Sequence, residues 1–459
     1  MFVRQFYTPC LAQASYYIES AGNAAVIDPL RDIDCYIDLA AQQKAIIRYV
    51  FITHFHADFV SGQLELANKT GATIIFGQEA TPAYPALIAT DDETFSLGAC
   101  KIKVLHTPGH TIESACFLLH DEQNNPYALF SGDTLFIGDV GRPDLLSGNL
   151  DAKTLAGMLY DSIERKIKPL PDNLILYPGH GAGSACGKKL SNETSSFIGA
   201  QKVINPAFMM NKEDFIEFVT TDQPPAPAYF FKDAKINKWG SPDLSDVLTA
   251  GMRPLKPEAF RKELEAGAQV LDTRNEGGAE HVIIKNAIHI GLDGQFAIWA
   301  GSVIDFEKPL LLVCDPGTEK AAITRLARIG FDQCLGYLEG GIEAWEGSGG
   351  EVCSIGILSP ELLSKAMLQD ETCVLLDVRR RAELEEKGSI DAAFNIPLEE
   401  LKKGLNLLNK EQCYIVFCAG GYRSLIAASI MKCAGFRTVH SVEGGIAAIK
   451  LVHPDWLSI

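Results

Sequence analysis

Short apolar runs alternate with turns along the first half of the chain, and they predict its strands. Six runs are rich in β-branched and aromatic residues and are too short for helices, so each predicts a buried strand. They are RYVFIT (48–53), TIIF (73–76), KIKVL (101–105), ACFLL (115–119), YALFSGD (127–133) and LILYPGH (174–180). Between the first two, DFVSGQLELANKTG has apolar residues at helical spacing and ends on Gly71. This predicts a helix with a glycine at its C-terminal end.

The second half of the chain contains an internal repeat. VLDTRNE (270–276) matches LLDVRRRAE (375–383), LLVCDPGTEKAA (311–322) matches YIVFCAGGYRSL (414–425), and LEGGIEAW (338–345) matches VEGGIAAI (442–449). Both copies then run through a helix to a Gly-Phe pair, at 330–331 and 435–436. Three matched blocks in the same order, about 105 residues apart, indicate a duplicated α/β domain.

A proline-rich stretch separates the two halves. The segment TTDQPPAPAYFFKDAKINKWGSPDL, from about residue 220, is rich in turn residues and is interpreted as a linker. The length of 459 residues suits about three domains. We therefore expect domains at 1–245 (with the linker), 246–350 and 351–459, with a hinge near 346–356.

Charge and cysteine content narrow the class of protein. The formal net charge is −17 and no basic stripe is present, which argues against nucleic-acid binding. No signal peptide and no run of about 18 apolar residues is found, so we expect no membrane span and a cytoplasmic protein. The 12 cysteines form no CxxC pair and no disulfide framework, a pattern that favours a reducing compartment with most cysteines in cores.

Histidine and aspartate residues follow several of the predicted strands. His54 and His56 stand two apart after the first, TPGH ends at His110, SGD ends at Asp133, and YPGH ends at His180. Because strand ends gather at one edge of a sheet-based sandwich, these side chains are expected to lie together. The pattern predicts a metal site.

The series HxHxD, TPGHT, SGD and a late GH resembles the metallo-β-lactamase superfamily, particularly its glyoxalase II and persulfide dioxygenase branch, over roughly residues 1–220. The resemblance implies an αββα sandwich. Members with two metals have a histidine directly after the aspartate of HxHxD, and this chain has Phe59. A phenyl ring cannot bind a metal, which disfavours a dinuclear zinc site.

Resemblance to persulfide dioxygenases implies that His54, His110 and Asp133 bind one Fe(II) per chain as a facial triad. The roles left for His56, Asp58 and His180 are to orient ligands, to carry protons, or only to make structural hydrogen bonds.

Three further residues near the expected site remain open. Arg142, in the loop GDVGRPDL, is a candidate for binding an anionic part of the substrate, with a surface salt bridge as the alternative. Tyr177 is a candidate for lining the pocket. Cys186 is either reactive or a buried, inert thiol.

The loop CAGGYRS (418–424) lies between a predicted strand and a predicted helix. Backbone amides and a helix N-terminus stabilise a thiolate at Cys418, and Arg423 adds positive charge. The loop resembles the active loop of rhodaneses, and the resemblance covers about 356–459. It implies two α/β domains with central parallel sheets, with sulfane sulfur carried on Cys418. The residues implied to cradle that sulfur are Ala419, Gly420, Gly421, Tyr422 and Ser424.

The first copy has CDPGTEK in the corresponding place. Aligned from the strand, Asp315 takes the place of Cys418, and a carboxylate cannot carry sulfur. Aligned from the downstream Gly-Phe pair, Cys314 is the alternative occupant. We expect an inactive domain that serves as a spacer or docking surface.

The whole chain resembles fusions of a persulfide dioxygenase with an inactive and an active rhodanese domain. The implied activity oxidises a low-molecular-weight persulfide with O2 to sulfite and thiol, and passes sulfur through Cys418 to give thiosulfate, in sulfide detoxification. Glutathione, coenzyme A and bacillithiol remain open as carriers, and the family favours dimers or tetramers. The alternatives are a glyoxalase II-like thioester hydrolase using a metal-bound hydroxide, and a non-enzymatic sulfur-binding or regulatory protein.

Overall fold

The structure, a computed structural model, describes residues 1–145, 150–223, 225–275, 280–369 and 373–458. The chain divides into two compact units. Unit 1 comprises Met1–Asp246 with Leu326–Asp332, and unit 2 comprises Val247–Arg325 with Gln333–Ile459.

Two six-stranded sheets form the centre of unit 1. The first has the order β1-β2-β3-β4-β5-β6 and the second β12-β11-β10-β9-β8-β7. The strands are β1 Phe2–Thr8, β2 Gln13–Ser20, β3 Asn23–Ile27, β4 Ile46–Ile52, β5 Thr73–Phe76, β6 Leu87–Ile88, β7 Thr94–Leu97, β8 Cys100–His106, β9 Ala115–His120, β10 Pro126–Gly132, β11 Ile175–Pro178 and β12 Ser196–Phe197. All six predicted strands are present.

Helices cover the outer faces of these sheets. They are α1 Asp34–Gln42, α2 Gln63–Thr70, α3 Ala152–Ser162 with a π-helical turn Ile163–Ile167, α4 Ile198–Ile204, α5 Pro206–Met209 and α6 Lys212–Thr220. Helix α7 Phe230–Trp239 also belongs to unit 1, and α8 Leu244–Gly251 includes the boundary between the two units. One apolar core joins the facing sides of the two sheets, a second joins the first sheet to α1 and α2, and a third joins the second sheet to α3 and α6. The expected αββα sandwich is confirmed.

The segment interpreted as a linker contains helix α7, so that interpretation is wrong for Phe230–Trp239. Helix α7 buries Phe230, Asp233 and Asn237. Two of these three positions are polar, and the hydrophobic pattern therefore gave no helical signal.

Unit 2 contains two mainly parallel sheets, as the repeat predicts. Their orders are β13-β18-β17-β14-β16 and β15-β19-β24-β23-β20-β22, and β21 pairs with β25. The strands are β13 Pro254–Leu255, β14 Gln269–Asp272, β15 Glu280–Ile284, β16 Ile288–His289, β17 Leu310–Val313, β18 Cys334–Leu338, β19 Val352–Leu358, β20 Val374–Asp377, β21 Ser389–Ile390, β22 Phe394–Asn395, β23 Cys413–Phe417, β24 Thr438–Val442 and β25 Leu457–Ser458. Strand β15 is antiparallel to β19, so the first copy lends a strand to the sheet of the second.

The helices of unit 2 connect these parallel strands. They are α9 Pro257–Glu265, α10 Phe296–Val303, α11 Glu319–Ala327, α12 Gly341–Gly347, α13 Pro360–Gln369, α14 Arg381–Lys387, α15 Leu401–Gly404, α16 Tyr422–Cys433 and α17 Gly445–Val452. Short 3-10 turns occur at Leu398–Glu400, Leu405–Leu407 and Pro454–Trp456. Glu276, the last residue of the first repeat block, lies outside the described residues.

The cysteines correct one expectation. Cys373 and Cys413, at the starts of the neighbouring strands β20 and β23, form a disulfide. Their sequence separation of 40 residues gave no recognisable spacing. Ten cysteines are free, and five of these are buried. Among the described residues, no helix is both long and apolar enough to cross a membrane.

Candidate metal centre and sulfur-transfer site

Three strands of unit 1 deliver the predicted ligands to one place. His54 follows β4, His110 follows β8 and Asp133 follows β10, and all three side chains are buried. Oδ2 of Asp133 lies 3.9 Å from Nε2 of His54 and 3.5 Å from Nε2 of His110. The sequence prediction that these strand ends converge is therefore confirmed for this trio.

The hydrogen bonds around His54 fix which of its nitrogens is available to a metal. The Thr53 hydroxyl donates to Oδ2 of Asp28 at 2.8 Å and lies 3.0 Å from Nδ1 of His54. Since that hydroxyl has given its only proton to Asp28, Nδ1 of His54 must donate to the hydroxyl oxygen. The lone pair of His54 is then on Nε2, which faces Asp133.

The other two ligand atoms are arranged in the same way. Nδ1 of His110 donates to the backbone carbonyl of Arg142 at 2.9 Å, which leaves Nε2 as an acceptor. Oδ1 of Asp133 accepts from Nδ1 of His180 at 2.8 Å, while Oδ2 is buried without a hydrogen-bond partner. Two free imidazole nitrogens and an unpaired carboxylate oxygen fit a divalent transition metal such as iron or zinc.

Electrostatics keep His54 and Asp133 in the protonation states that bind a metal. Burial, with the nearby His56, holds the pKa of His54 well below its usual value, so the imidazole is neutral. Burial alone would raise the pKa of Asp133, but the neighbouring His180, His54 and His110 outweigh it and lower that pKa. The aspartate is therefore ionised.

A second group of donors lies beside the first and is partly engaged by hydrogen bonds, since Oδ1 of Asp58 and both ring nitrogens of His56 have no such partner. Nε2 of His180 is 2.7 Å from Oδ2 of Asp58, and the Cys186 sulfur lies within 4.8 Å of ligand atoms of both. Phe59 is fully buried and packs on the ring of His56, with centroids 4.3 Å apart. Nε2 of His56 is 3.0 Å from Oδ1 of Asp28, at an angle outside hydrogen-bond geometry.

Three buried residues that the sequence analysis did not single out position the metal loop. Asp28, at the end of the apolar run AAVI, accepts hydrogen bonds from the backbone N–H and the hydroxyl of Thr53, both at 2.8 Å. Glu113 accepts one from the backbone N–H of Phe55 at 3.0 Å. Asn237 of α7 contacts the same loop. Asp28 follows a strand as the ligands do, but neither Glu113 nor Asn237 carries a local signal.

Arg142 and Tyr177 are engaged with protein atoms. The guanidinium of Arg142 forms two hydrogen bonds with Asp144, at 2.8 and 2.7 Å, so the salt bridge given as the alternative is present, with a buried Arg142 and a partly exposed Asp144. Tyr177 is half-buried and packs on Tyr16 and Phe130. Substrate binding by either residue stays a prediction.

Cys186 fits the inert alternative better than the reactive one. It is 2% exposed, and burial, with the nearby carboxylates of Asp58 and Asp133, raises the pKa of its thiol well above the usual value. A thiol with a raised pKa is a poor nucleophile near neutral pH.

In unit 2, the loop after β23 cradles the sulfur of Cys418. The backbone N–H of Gly421 donates to that sulfur at 3.2 Å, and the hydroxyl of Ser424 lies 3.7 Å away. Gly421 has φ +99°, a conformation that L side chains rarely adopt. Helix α16 begins at Tyr422, and Cys418 itself is 1% exposed. The predicted strand, loop and helix around this cysteine are all present.

The charge of Arg423 is compensated. Its guanidinium forms two hydrogen bonds with Glu383, at 2.6 and 2.7 Å. Partial burial would raise the pKa of Glu383, but the Arg423 partner outweighs it and lowers that pKa to about 2. Arg423 therefore supports the loop as one half of an ion pair.

Strand register corrects the alignment of the first copy. Asp272 pairs with Val313 in the first sheet, and Asp377 pairs with Phe417 in the second. Because the two aspartates belong to matching blocks, Val313 corresponds to Phe417, and the next residue, Cys314, corresponds to Cys418. Placing Asp315 in that position was wrong, and the alternative alignment was right.

Two family models match the chain. The model of the Metallo-beta-lactamase superfamily matches residues 8–180, and the model of the Rhodanese-like domain matches residues 256–348 and 359–451.

Curated relatives match the metal-binding part. A hydroxyacylglutathione hydrolase of Francisella tularensis subsp. novicida (strain U112) is 32% identical over 178 residues, which is 39% of this chain and 66% of that protein. A probable hydroxyacylglutathione hydrolase of Schizosaccharomyces pombe is 31% identical over 166 residues, 35% of this chain and 60% of that protein. The chain thus spans less than two thirds of either relative.

Among solved structures, a metallo-beta-lactamase from Staphylococcus aureus subsp. aureus COL is 34% identical with a TM-score of 0.66, and covers 74% of this chain and 99% of its own. The structure of ETHE1 from Myxococcus xanthus is 27% identical with a TM-score of 0.45, and covers 52% of this chain and 98% of its own. The second likeness is too weak to carry an argument on function.

Proposed function

Because the chain belongs to the metallo-β-lactamase superfamily and continues into two rhodanese-like domains, we propose that it is an iron-dependent persulfide dioxygenase coupled to a sulfurtransferase. The overall reaction at the metal would be R–S–S⁻ + O2 + H2O → R–SH + SO3²⁻ + H⁺. Both oxygen atoms of O2 go to the terminal sulfur, and water supplies the third oxygen of sulfite.

One observation carries the choice of a single metal. At the place where relatives with two metals bind the second ion, Asp58 and His180 hydrogen-bond to each other and Phe59 offers no donor. Nε2 of His54, Nε2 of His110 and Oδ2 of Asp133 face one another, whereas both ring nitrogens of His180 are already engaged by Asp133 and Asp58. A donor set of two imidazoles and one carboxylate is that of oxygen-activating ferrous sites.

The residues of the chain would hold the metal and manage protons. Ferrous iron held by this donor set would activate O2, and the persulfide sulfur would supply the four electrons that reduce it. His54 and His110 present Nε2 because their Nδ1 atoms donate to Thr53 and to a carbonyl. His180 holds a proton between Asp133 and Asp58, and the two carboxylates raise the pKa of its imidazole against the effect of burial.

The second step would take place at Cys418. Its thiolate attacks the outer sulfur of a persulfide: Cys418–S⁻ + R–S–S⁻ + H⁺ → Cys418–S–S⁻ + R–SH. Sulfite then removes that sulfur, Cys418–S–S⁻ + SO3²⁻ → Cys418–S⁻ + S2O3²⁻. The N–H of Gly421 is placed to stabilise the negative sulfur in both states.

Oxygen uptake by the iron-loaded full chain tests this function. We expect one O2 consumed per sulfite formed when persulfides of glutathione, coenzyme A and bacillithiol are supplied in turn. The carrier, the dimeric or tetrameric state and the cytoplasmic location stay predictions. Oxygen uptake no greater than that of metal-free protein, with all three persulfides, would refute the proposal.

Two variants separate the steps. His110→Ala removes a metal ligand and is expected to abolish sulfite formation, with circular dichroism to check the fold. Cys418→Ser is expected to keep making sulfite but to convert none of it to thiosulfate. Thiosulfate made by Cys418→Ser at the wild-type rate would place sulfur transfer elsewhere.

A second candidate is a thioester hydrolase, since the curated relatives are hydroxyacylglutathione hydrolases. A metal-bound hydroxide would then attack the thioester carbonyl. Zinc-loaded protein incubated with a hydroxyacylglutathione, followed by thiol release, tests it. Turnover accompanied by two zinc ions per chain would favour the hydrolase over the dioxygenase.

A further inference from the structure

Helix α7 in unit 1 carries a buried amide with no place in the sequence-derived site. Asn237 lies near its C-terminal end and is 2% exposed. Asparagine is a weak helix former, and a buried amide costs free energy unless its polar atoms are paired. Its presence at this position therefore requires partners that use the amide.

Those partners all belong to the loop that carries the HxHxD motif. The side-chain N–H groups of Asn237 donate to the carbonyls of His56 and Phe59, both at 2.7 Å. Its side-chain oxygen accepts from the backbone N–H of Ser61 at 2.8 Å. Both amide hydrogens and one oxygen lone pair are used, on three loop residues that flank Asp58.

Several backbone groups of this loop have side chains as their hydrogen-bond partners. It lies between β4 and α2 and is neither helix nor strand over residues 53–60. Asp28 binds the N–H of Thr53 and Glu113 binds the N–H of Phe55, which fixes the start of the loop. Asn237 fixes its middle and end. Buried carbonyls left without such donors would favour a different loop path.

The end of α7 is itself held in place, so the amide is rigidly presented. The Tyr84 hydroxyl donates to the Asn237 carbonyl at 2.7 Å, and the N–H of Ala83 donates to the Lys238 carbonyl at 2.8 Å. The helix therefore behaves as a fixed support for the metal loop rather than as part of a linker.

We propose that Asn237 is a positioning residue that locks the HxHxD loop in its metal-binding conformation. This inference rests on the proposed metal site, but not on which metal it holds or which reaction follows. Only an amide supplies two donors and an acceptor from one planar group. A carboxylate or a hydroxyl at this position cannot replace it.

Metal retention by full-length variants tests this role. Asn237→Asp preserves volume and the acceptor for Ser61 but removes the donors to the two carbonyls, and Asn237→Ala removes all three bonds. We expect the rate of Fe(II) release to a chelator to rise about tenfold in both variants, as for other groups that orient metal ligands. We also expect an altered electron paramagnetic resonance spectrum of the iron–nitrosyl adduct.

The matched control is Asn211→Ala. Asn211 is exposed, and its side chain caps α6 by accepting from the N–H of Asp214 at 2.9 Å. This variant should lower the thermal midpoint while leaving iron release and the spectrum as in wild type. Because Asn237→Asp is nearly isosteric, it decides the question if Asn237→Ala does not fold.

Wild-type iron release and an unchanged nitrosyl spectrum in Asn237→Asp would overturn the inference, as would an equal effect of Asn211→Ala. Failure of the proposed function gives a different result. In that case no persulfide is oxidised, but zinc release from the same variants still shows whether Asn237 holds the loop.

Discussion

The loops that begin at Cys314 and Cys418 share their length but differ around the sulfur. Each has a glycine of positive φ three residues after the cysteine, Gly317 at +86° and Gly421 at +99°. In the second copy that glycine donates its N–H to the sulfur at 3.2 Å. In the first copy the donor described for the sulfur is the Thr273 hydroxyl, at 3.3 Å.

The residues that follow the cysteine also differ between the two copies. Pro316 stands where the second copy has Gly420, so one N–H is lost from the loop. Glu319 stands where the second copy has Arg423. Burial raises the pKa of Cys314 to about 12, and the negative charge of Glu319 adds to the rise despite the Thr273 hydrogen bond. We therefore expect sulfur transfer at Cys418 and not at Cys314, because only the loop of Cys418 has a backbone N–H that donates to the sulfur among the described hydrogen bonds.

The largest expected effect comes from removing each cysteine in turn. Cys418→Ser should reduce thiosulfate formation by on the order of a thousandfold, because it deletes the nucleophile. Cys314→Ser should leave the rate within about twofold, because a thiol with a pKa near 12 is rarely ionised at neutral pH. Persulfide-dependent thiosulfate production measures both, and a comparable loss in Cys314→Ser would show that the first copy is active.

The disulfide gives the second comparison. Cys373 and Cys413 join β20 to β23, whereas the matching positions of the first copy hold Ala268 and Pro309. Reduction should destabilise the last domain by about 2–4 kcal/mol, since a cross-link limits the unfolded chain. Urea unfolding with and without dithiothreitol measures it. A matched double variant, Cys373→Ala with Cys413→Ala, should be insensitive to the reductant, and an equal response there would contradict the assignment.

Conversion of the first loop toward the second should have a smaller effect. Pro316→Gly with Glu319→Arg, in a Cys418→Ser background, restores an N–H and reverses a charge near Cys314. We expect the pKa of Cys314 to fall and its alkylation by iodoacetamide near neutral pH to speed up by about tenfold or more. The single variant Glu319→Gln removes the negative charge without adding a positive one, and it should give an intermediate rate of alkylation. An unchanged pH profile of alkylation would mean that burial alone controls this thiol.

These comparisons also show which structural features the sequence alone can predict. The strand ends that carry His54, His110 and Asp133, and the loop of Cys418, were predictable because apolar runs and glycine motifs are local signals. The position of Cys314 was not predictable, because it depends on the pairing of the preceding residue, Val313, with Asp272. The copies differ in length by one residue, and that difference lies between the loop and the Gly-Phe pair.

Long-range contacts could not be predicted from the sequence either. Asn237 lies more than 170 residues from the loop it binds, in a helix whose buried positions are partly polar. The Cys373–Cys413 pair is set by neighbouring strands of one sheet. Neither depends on a periodic pattern, so both required the fold.

The smallest effect concerns how the two loops are anchored. Tyr422 donates its hydroxyl to the carbonyl of Gly291, in the first copy, at 2.8 Å. Thr318, at the matching position, donates instead to Asp315 within its own loop at 2.7 Å. The loop of Cys418 is thus hydrogen-bonded to the first copy.

Tyr422→Phe keeps the ring and deletes this one hydrogen bond, so the unfolding free energy of unit 2 should fall by roughly 0.5–1.5 kcal/mol. The loop that holds Cys418 is then less well ordered, and thiosulfate formation should fall by a few-fold at most. Thr318→Val deletes the matching bond in the first copy and should leave the rate unchanged. Urea unfolding and initial rates measure both variants. If Thr318→Val slowed transfer as much as Tyr422→Phe, anchoring to Gly291 would have no special role in sulfur transfer.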